Sequence, residues 1–123
     1  MVEDKAVTQP AADRFASTFA DFVQGVRKTL EAAPDHPSTP RWRRKGLPLL
    51  ERDLAEVEAA MKEYGAGEQQ PLLHVASSAM SLAKKMDGFP LDLAGEESAN
   101  QLAEQRRFVV MAAWQVLNGA GAA

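Results

Sequence analysis

Few side chains in this sequence could carry out chemistry, and the two histidines are the first to consider. His74 begins a run of mostly small residues, HVASSAMSLAK, and His36 lies in the Pro-rich run PDHPSTP. The chain has no cysteine, which excludes disulfides, thiolate zinc sites, iron–sulfur clusters and thiol catalysis. A zinc site would need carboxylate ligands beside the histidines, but neither an HExxH nor an ExxH spacing occurs. We therefore expect no bound metal and no cofactor.

The run from His74 to Lys84 resembles the phosphoacceptor helix of histidine phosphotransfer domains, which are four-helix bundles of similar size. The resemblance implies that His74 accepts a phosphoryl group. Those domains favour Lys three residues and Gly four residues after the histidine, where this chain has Ser77 and Ser78. A degenerate phosphotransfer-like domain centred on His74 is thus one alternative function, and a surface histidine without a chemical role is the other interpretation.

No other residue type predicts catalysis. The serines of this segment lack the GxSxG-type turn that exposes a serine nucleophile. The acidic residues follow the pattern of solvated helix faces, as at Glu51, Glu56, Glu58 and Glu63. We therefore expect a protein that is not an enzyme.

A dense basic cluster is the next candidate site. It reads RWRRK and comprises Arg41, Trp42, Arg43, Arg44 and Lys45. Arginines beside an aromatic ring can bind phosphates and stack on bases. Because the following segment is acidic, the chain is polarised locally and is not basic throughout. We favour an acidic surface of another protein as the target, with the chain's own acidic helix and nucleic acid as alternatives, and Trp42 is also a candidate core residue.

Helical periodicity predicts the elements that position these residues. Phe15, Phe19, Phe22, Val26 and Leu30 share one face of a first helix, at spacings of three and four. Pro and Gly residues mark the ends of four helices, predicted at about 10–33, from 47 or 48 to 65, 71–87 and 98–118. A start two or three residues before Ser98 fits the last helix equally well. The pattern predicts an all-α, up-and-down antiparallel four-helix bundle.

The second helix carries the clearest periodic signal. Its heptad seam comprises Leu47, Leu50, Leu54, Val57, Met61 and Tyr64. We expect Leu50, Leu54, Val57 and Met61 to be buried against the phenylalanines of the first helix. Gly46 and Pro48 are predicted to interrupt any helical structure that precedes this helix. The basic cluster should then lie on a loop or short turn.

The last helix has too many apolar residues for a single buried stripe. Seven of them run without a break from Phe108 to Trp114. We expect Phe108, Met111 and Trp114 to lie off the core face. Either the apolar loop containing Phe89, Leu91 and Leu93 covers them, or they form an exposed patch that pairs two chains or binds a partner.

Length and composition complete the prediction. A chain of 123 residues with net charge −3 fits one domain, 1–123, with a flexible arm at 1–9 and a tail at 119–123. It shows no signal peptide and no membrane span, so we expect a cytoplasmic protein. We predict a non-catalytic protein–protein interaction or regulatory module that forms a homodimer through Phe108, Met111 and Trp114. The phosphotransfer-like domain, a nucleic-acid-binding module using Arg41–Lys45, and a carrier that binds an apolar ligand against the small residues of the third helix are the alternatives.

Overall fold

The computed structural model describes residues 7–86, 93 and 95–118. Four long helices make up most of this part of the chain: α1 (Gln9–Ala32), α3 (Leu47–Gly65), α4 (Gln70–Lys85) and α5 (Gly95–Asn118). A short helix, α2 (Thr39–Arg41), and a π-helical turn, Trp42–Gly46, precede α3. The predicted all-α four-helix bundle is confirmed. No helix in the described part is long and apolar enough to cross a membrane.

The helices form a ring in which α1 packs between α3 and α5, and α4 closes the opposite side. Contacts between the helices give their directions. Arg27, late in α1, pairs with Glu51, early in α3, at 2.9 Å. Arg14, early in α1, donates a hydrogen bond to Gln115, late in α5, at 3.2 Å. The bundle is therefore up-and-down and antiparallel, and α3 and α5 occupy diagonal corners.

The predicted apolar face of α1 lies at the centre of the core. Its five apolar residues, Phe15 to Leu30 at helical spacing, are each at most 2% exposed. The rings of Phe15 and Phe19 stack, with their centroids 6.2 Å apart. Ala12 and Val23 are fully buried as well. The buried sector of α1 is thus wider than one stripe, because α3 and α5 flank it on two sides.

The buried face of α3 differs from the predicted heptad seam. Leu50 and Val57 are buried as predicted, but Leu54 is only half-buried, and so is Met61. Asp53 is buried in their place, together with Ala60. A heptad seam describes contact with one partner helix, whereas α3 packs against both α1 and α4. The core therefore lies on the side of α3 that includes residues 53 and 60.

The entry into α3 also differs from the prediction. Gly46 and Pro48 do not interrupt the helical structure, which continues from residue 39 to residue 65. The Leu47 N–H donates to the Trp42 carbonyl, five residues earlier, so the turn before the proline is π-helical. A π-helical turn changes the hydrogen-bond pattern of a helix without ending it. The basic cluster is consequently part of a helix and does not lie on a loop.

We expect Gly46→Ala to destabilise the protein. A Cβ at residue 46 would lie 2.4 Å from Cε3 of the Trp42 ring, which packs against the core. Overpacking typically costs ~1–3 kcal/mol, which exceeds the ~1 kcal/mol that Ala gains over Gly in a helix. Gly65→Ala is the matched control, because a Cβ at residue 65 meets nothing within 4 Å. Urea unfolding should show opposite signs for the two variants, and equal signs would contradict the role assigned to Trp42.

Val7 and Leu93, which lie outside the four long helices, are both buried in the core. Val7, within the predicted arm 1–9, is buried: its N–H donates to Gln69 Oε1 at 3.0 Å, and its carbonyl accepts from the Tyr64 hydroxyl. Leu93 is buried in the core as well. Phe89 and Leu91, residues 1–6 and the tail 119–123 lie outside the described residues.

Candidate interaction surfaces

An exposed apolar patch lies on α5. It consists of Phe108, Met111 and Trp114, which are 48%, 59% and 55% exposed. The opposite side of the same helix is buried in the core at Leu102, Val109, Ala112, Ala113 and Val116. We call these three residues the α5 patch. It shows that the apolar circumference of this helix exceeds what the other helices of the bundle cover.

The α5 patch has a regular shape. At ~100° per residue, Phe108 and Trp114 lie about 60° to either side of Met111 around the helix axis. At ~1.5 Å per residue, each lies about 4.5 Å from Met111 along that axis. Glu104 and Arg107 border the patch towards the start of the helix, and Gln115 borders it towards the end. The patch is thus a compact apolar surface with polar residues at its edges.

Leu93 is the one described residue of the loop that was predicted as a possible cover for this patch. Leu93 lines a cleft of about 580 Å³ between α1 and α5, together with Thr29 and Leu102. Leu102 belongs to the buried side of α5, opposite the patch. Leu93 therefore contributes to the core, while Phe108, Met111 and Trp114 stay exposed.

The basic cluster lies on the π-helical turn and the residue before it. Arg41, Arg44 and Lys45 are exposed. Arg43 donates to the Leu30 carbonyl at 3.5 Å, near the C-terminal end of α1, where a positive charge is favourable. Trp42 is half-buried and packs against the core. The cluster thus contains Trp42, which packs against the core, Arg43, which is exposed and also bonds the end of α1, and three further exposed cations.

Those three cations are not neutralised by the described acidic residues. Within the described part of the chain, ion pairs join Arg27 to Glu51 and Arg52 to Asp53. Neither pair includes a residue of the basic cluster. The basic cluster therefore does not pair with the described acidic residues of α3, although the sequence allowed that alternative.

The two histidines lie apart. His74 is exposed on α4, next to Ser77, which is also exposed. His36 precedes α2, and its Nδ1 accepts a hydrogen bond from the Ser38 N–H at 3.0 Å, which helps to order the turn between α1 and α2. His74 lies on α4, a different helix from those that carry the basic cluster and the α5 patch.

Asp53 is the residue whose environment the sequence reasoning missed. It is fully buried between α3 and α4, and the Ser78 hydroxyl donates to its Oδ2 at 3.0 Å. Arg52 lies 3.4 Å from its Oδ1. A signal existed in the sequence, because residue 53 shares the spacing of three and four with Leu50, Val57 and Ala60. The carboxylate and the hydroxyl link two helices inside the bundle.

Two clefts border α1. The cleft between α1 and α5 contains Gln105, whose Oε1 is buried and has no hydrogen-bond partner among the described residues. A shallower groove of about 470 Å³ lies between α1 and α3, where Leu54 and Met61 face Ala16 and Ala20. The small residues of α4 line neither cleft, since Ala76, Ala79 and Ala83 are buried in the core.

The search for a metal site and the comparisons with known proteins complete this description. No group of three His, Asp or Glu side chains in the described residues could hold a metal ion. No protein-family model, curated protein or solved structure gives a significant match to this chain. Any functional argument therefore depends on the surfaces described above.

Proposed function

We propose that this protein is a non-catalytic interaction module that associates with other protein chains. The observation that carries the proposal is the exposed α5 patch, in which the side chains of Phe108, Met111 and Trp114 lie side by side. Aromatic and Met side chains are enriched at protein interfaces, and Trp is among the commonest residues of binding hot spots. A second copy of the chain is the partner that we propose for this patch.

Replacing the centre of the patch should abolish self-association. Met111 is the most exposed of the three, so Met111→Lys places a charge in the middle of the contact without entering the core. The free energy of unfolding of the monomer should change by less than ~0.5 kcal/mol, as is usual for surface substitutions. Light scattering at micromolar concentration and above should show the wild type associating and the variant monomeric.

Ser81→Lys provides the matched control, since residue 81 is exposed on α4 and lies outside the patch. This variant should associate like the wild type. A monomeric wild type over the whole concentration range, or equal association of wild type and Met111→Lys, would reject the proposal.

The exposed cations of the basic cluster support a second surface. Arg41, Arg44 and Lys45 face solvent at the end of the bundle where α1 finishes, on a different corner from α5. We propose that they bind an acidic protein surface, since no described acidic residue of the chain pairs with them. Arg43 is left out of this surface because it donates to the Leu30 carbonyl.

The test of this second surface removes the three cations together by changing each to Gln. Poly-L-glutamate serves as the acidic probe, and labelled DNA and RNA serve as the competing probes. Each exposed ion pair contributes ~0.2–1 kcal/mol, so binding of poly-L-glutamate should weaken roughly tenfold. Changing Lys28, Lys62 and Lys84 to Gln removes the same charge from other exposed positions and should leave binding nearly unchanged.

Salt dependence separates the two kinds of target. Nucleic-acid binding that is tighter than binding of poly-L-glutamate, falls steeply with salt and is lost in the Arg41, Arg44 and Lys45 variant would reject the acidic protein in favour of phosphates. Equal effects of the two triple variants would show that net charge, and not this surface, is responsible.

A further inference from the structure

We infer that an acidic peptide segment, with an apolar residue among its acids, binds along the edge of the bundle between α3 and α4. The residues that contact it are Arg41, Lys45, Leu49 and Lys85, and we call them the α3–α4 edge. This inference rests on the second surface of the proposed function, which contains Arg41 and Lys45. It adds to that surface a cation from another helix and an apolar contact.

Arg41 and Lys45 lie on the side of the helical run that faces away from α1. Arg43 marks the opposite side, since its side chain donates to the Leu30 carbonyl at the end of α1. Residues two apart in a helix project in nearly opposite directions, about 200° from each other. Arg41 and Lys45, each two residues from Arg43, are therefore directed away from α1, and both are exposed.

Leu49 continues the row that Arg41 and Lys45 begin. The spacing from residue 41 to 45 and from 45 to 49 is four residues, which keeps the three side chains on one face of a helix. Leu49 is 39% exposed although it is a large apolar residue. The row thus presents two cations and one apolar side chain to solvent.

The hydrogen bond between Asp53 and Ser78 shows how α4 lies beside this row. Because α3 and α4 are antiparallel, positions equally far before residue 53 and after residue 78 lie level with each other. Leu49 and Leu82 are each four residues from the bond, and Lys85 is seven residues from it. Four and seven residues are close to one and two helical turns, so Leu82 and Lys85 stay on the side of α4 that carries Ser78. The fold therefore sets Leu82 level with Leu49 and brings Lys85 to the level of the basic cluster.

The composition of the edge determines the chemistry of its partner. Leu82 is half-buried and packs against the core, so the leucines at 49 and 82 form a small apolar surface between the cations. Among the described residues, no ion pair includes Lys85 or a cation of the basic cluster. Carboxylates complement these charges, and an apolar side chain among them covers the leucines. Nucleic acid would use the cations but would gain less from aliphatic residues, since bases stack best on aromatic rings.

Lys85→Gln tests whether α4 contributes to the edge, and Lys84→Gln is the matched control. Both lysines are exposed in the last turn of α4. Lys84 lies about 100° from Lys85 around the helix, on the side away from α3. Binding of labelled poly-L-glutamate at low salt should weaken about two- to fivefold in Lys85→Gln, the equivalent of one exposed ion pair. Binding should hardly change in Lys84→Gln.

Leu49→Ala tests the apolar contact. The probes are a short glutamate peptide with one phenylalanine at its centre and the same peptide with serine in that place. The wild type should bind the phenylalanine peptide about threefold more tightly, because the ring covers exposed leucine surface. Leu49→Ala should bind both peptides with nearly equal affinity. Met111→Ala, which removes an exposed apolar side chain on α5, should keep the preference, and circular dichroism verifies that both variants are folded.

Failure of the inference differs from failure of the proposed function. If the variant without Arg41, Arg44 and Lys45 loses poly-L-glutamate binding, but Lys85→Gln and Lys84→Gln weaken it equally, the inference is overturned and the second surface stands. A preference for the phenylalanine peptide that is absent from the wild type, or that survives in Leu49→Ala, also overturns the inference. Tighter binding of labelled DNA or RNA that is weakened by Lys85→Gln and unchanged by Leu49→Ala would assign the edge to phosphates instead. If the triple variant binds poly-L-glutamate like the wild type, the second surface fails and the inference fails with it.

Discussion

Leu50→Ala is expected to lower the free energy of unfolding by ~2–5 kcal/mol, the range for large-to-small changes at fully buried sites. Leu50 is completely buried in the core, on the helix that packs against both α1 and α4. Leu54→Ala, one turn later in the same helix, should cost clearly less. Leu54 is half-buried and borders the groove between α1 and α3, so water already reaches part of its side chain.

The pair forms a controlled comparison, because residue type, helix and substitution are the same and only burial differs. Urea unfolding followed by circular dichroism at equal protein concentration gives both values. Equal losses for the two variants, or a larger loss for Leu54→Ala, would show that the heptad seam describes the core of α3 better than the buried face seen here.

Ser78→Ala is expected to lower the free energy of unfolding by ~1.5–3 kcal/mol, the range for a hydrogen bond to a charged group. The Ser78 hydroxyl donates to Oδ2 of Asp53, whose side chain is inaccessible to solvent. Removing the donor leaves a buried carboxylate with one partner fewer, and Arg52 on its other oxygen is 3.4 Å away and largely exposed. The loss is large because the Asp53 side chain is fully buried, so its carboxylate is left without the hydrogen bond that offsets its burial.

A double-mutant cycle isolates this interaction. When Asp53→Ala is already present, Ser78→Ala should cost less than ~0.5 kcal/mol, because no carboxylate remains for the hydroxyl to stabilise. Ser81→Ala, an exposed position on the same helix, controls for the change in helix propensity. Equal costs of Ser78→Ala in both backgrounds would mean that the Asp53–Ser78 hydrogen bond does not stabilise the fold.

The two interaction surfaces can be tested independently of these internal contacts. The α5 patch lies on a helix that occupies the corner diagonal to α3, and the exposed cations lie on the turn that leads into α3. Substitutions more than ~7–10 Å apart with no shared partner are usually additive. A variant that lacks the three cations should therefore self-associate normally, and Met111→Lys should bind poly-L-glutamate as well as the wild type does.

Local chemistry in the sequence determined most of the architecture. Pro10 suits the first turn of α1, where Thr8 caps the helix. Gly67 adopts the positive φ that ends α3, and the Glu68 N–H bonds the Glu63 carbonyl as in a Schellman motif. The apolar spacing of α1 identified its buried face from Phe15 to Leu30. These features depend on a residue and its neighbours within about one helical turn, so the sequence is sufficient to predict them.

The tertiary structure decided which side chains are covered by neighbouring helices and which stay exposed. Periodicity gives the direction of a side chain around its own axis, but not how many neighbours cover that direction. Asp53 is buried because α4 offers Ser78 there, and Leu54 is half-buried because α1 presents Ala16 and Ala20 to the groove. Trp42 packs against the core because the glycine at 46 leaves room for its ring. The α5 patch stays exposed because α1 and α4, the helices that pack against α5, cover only one side of it.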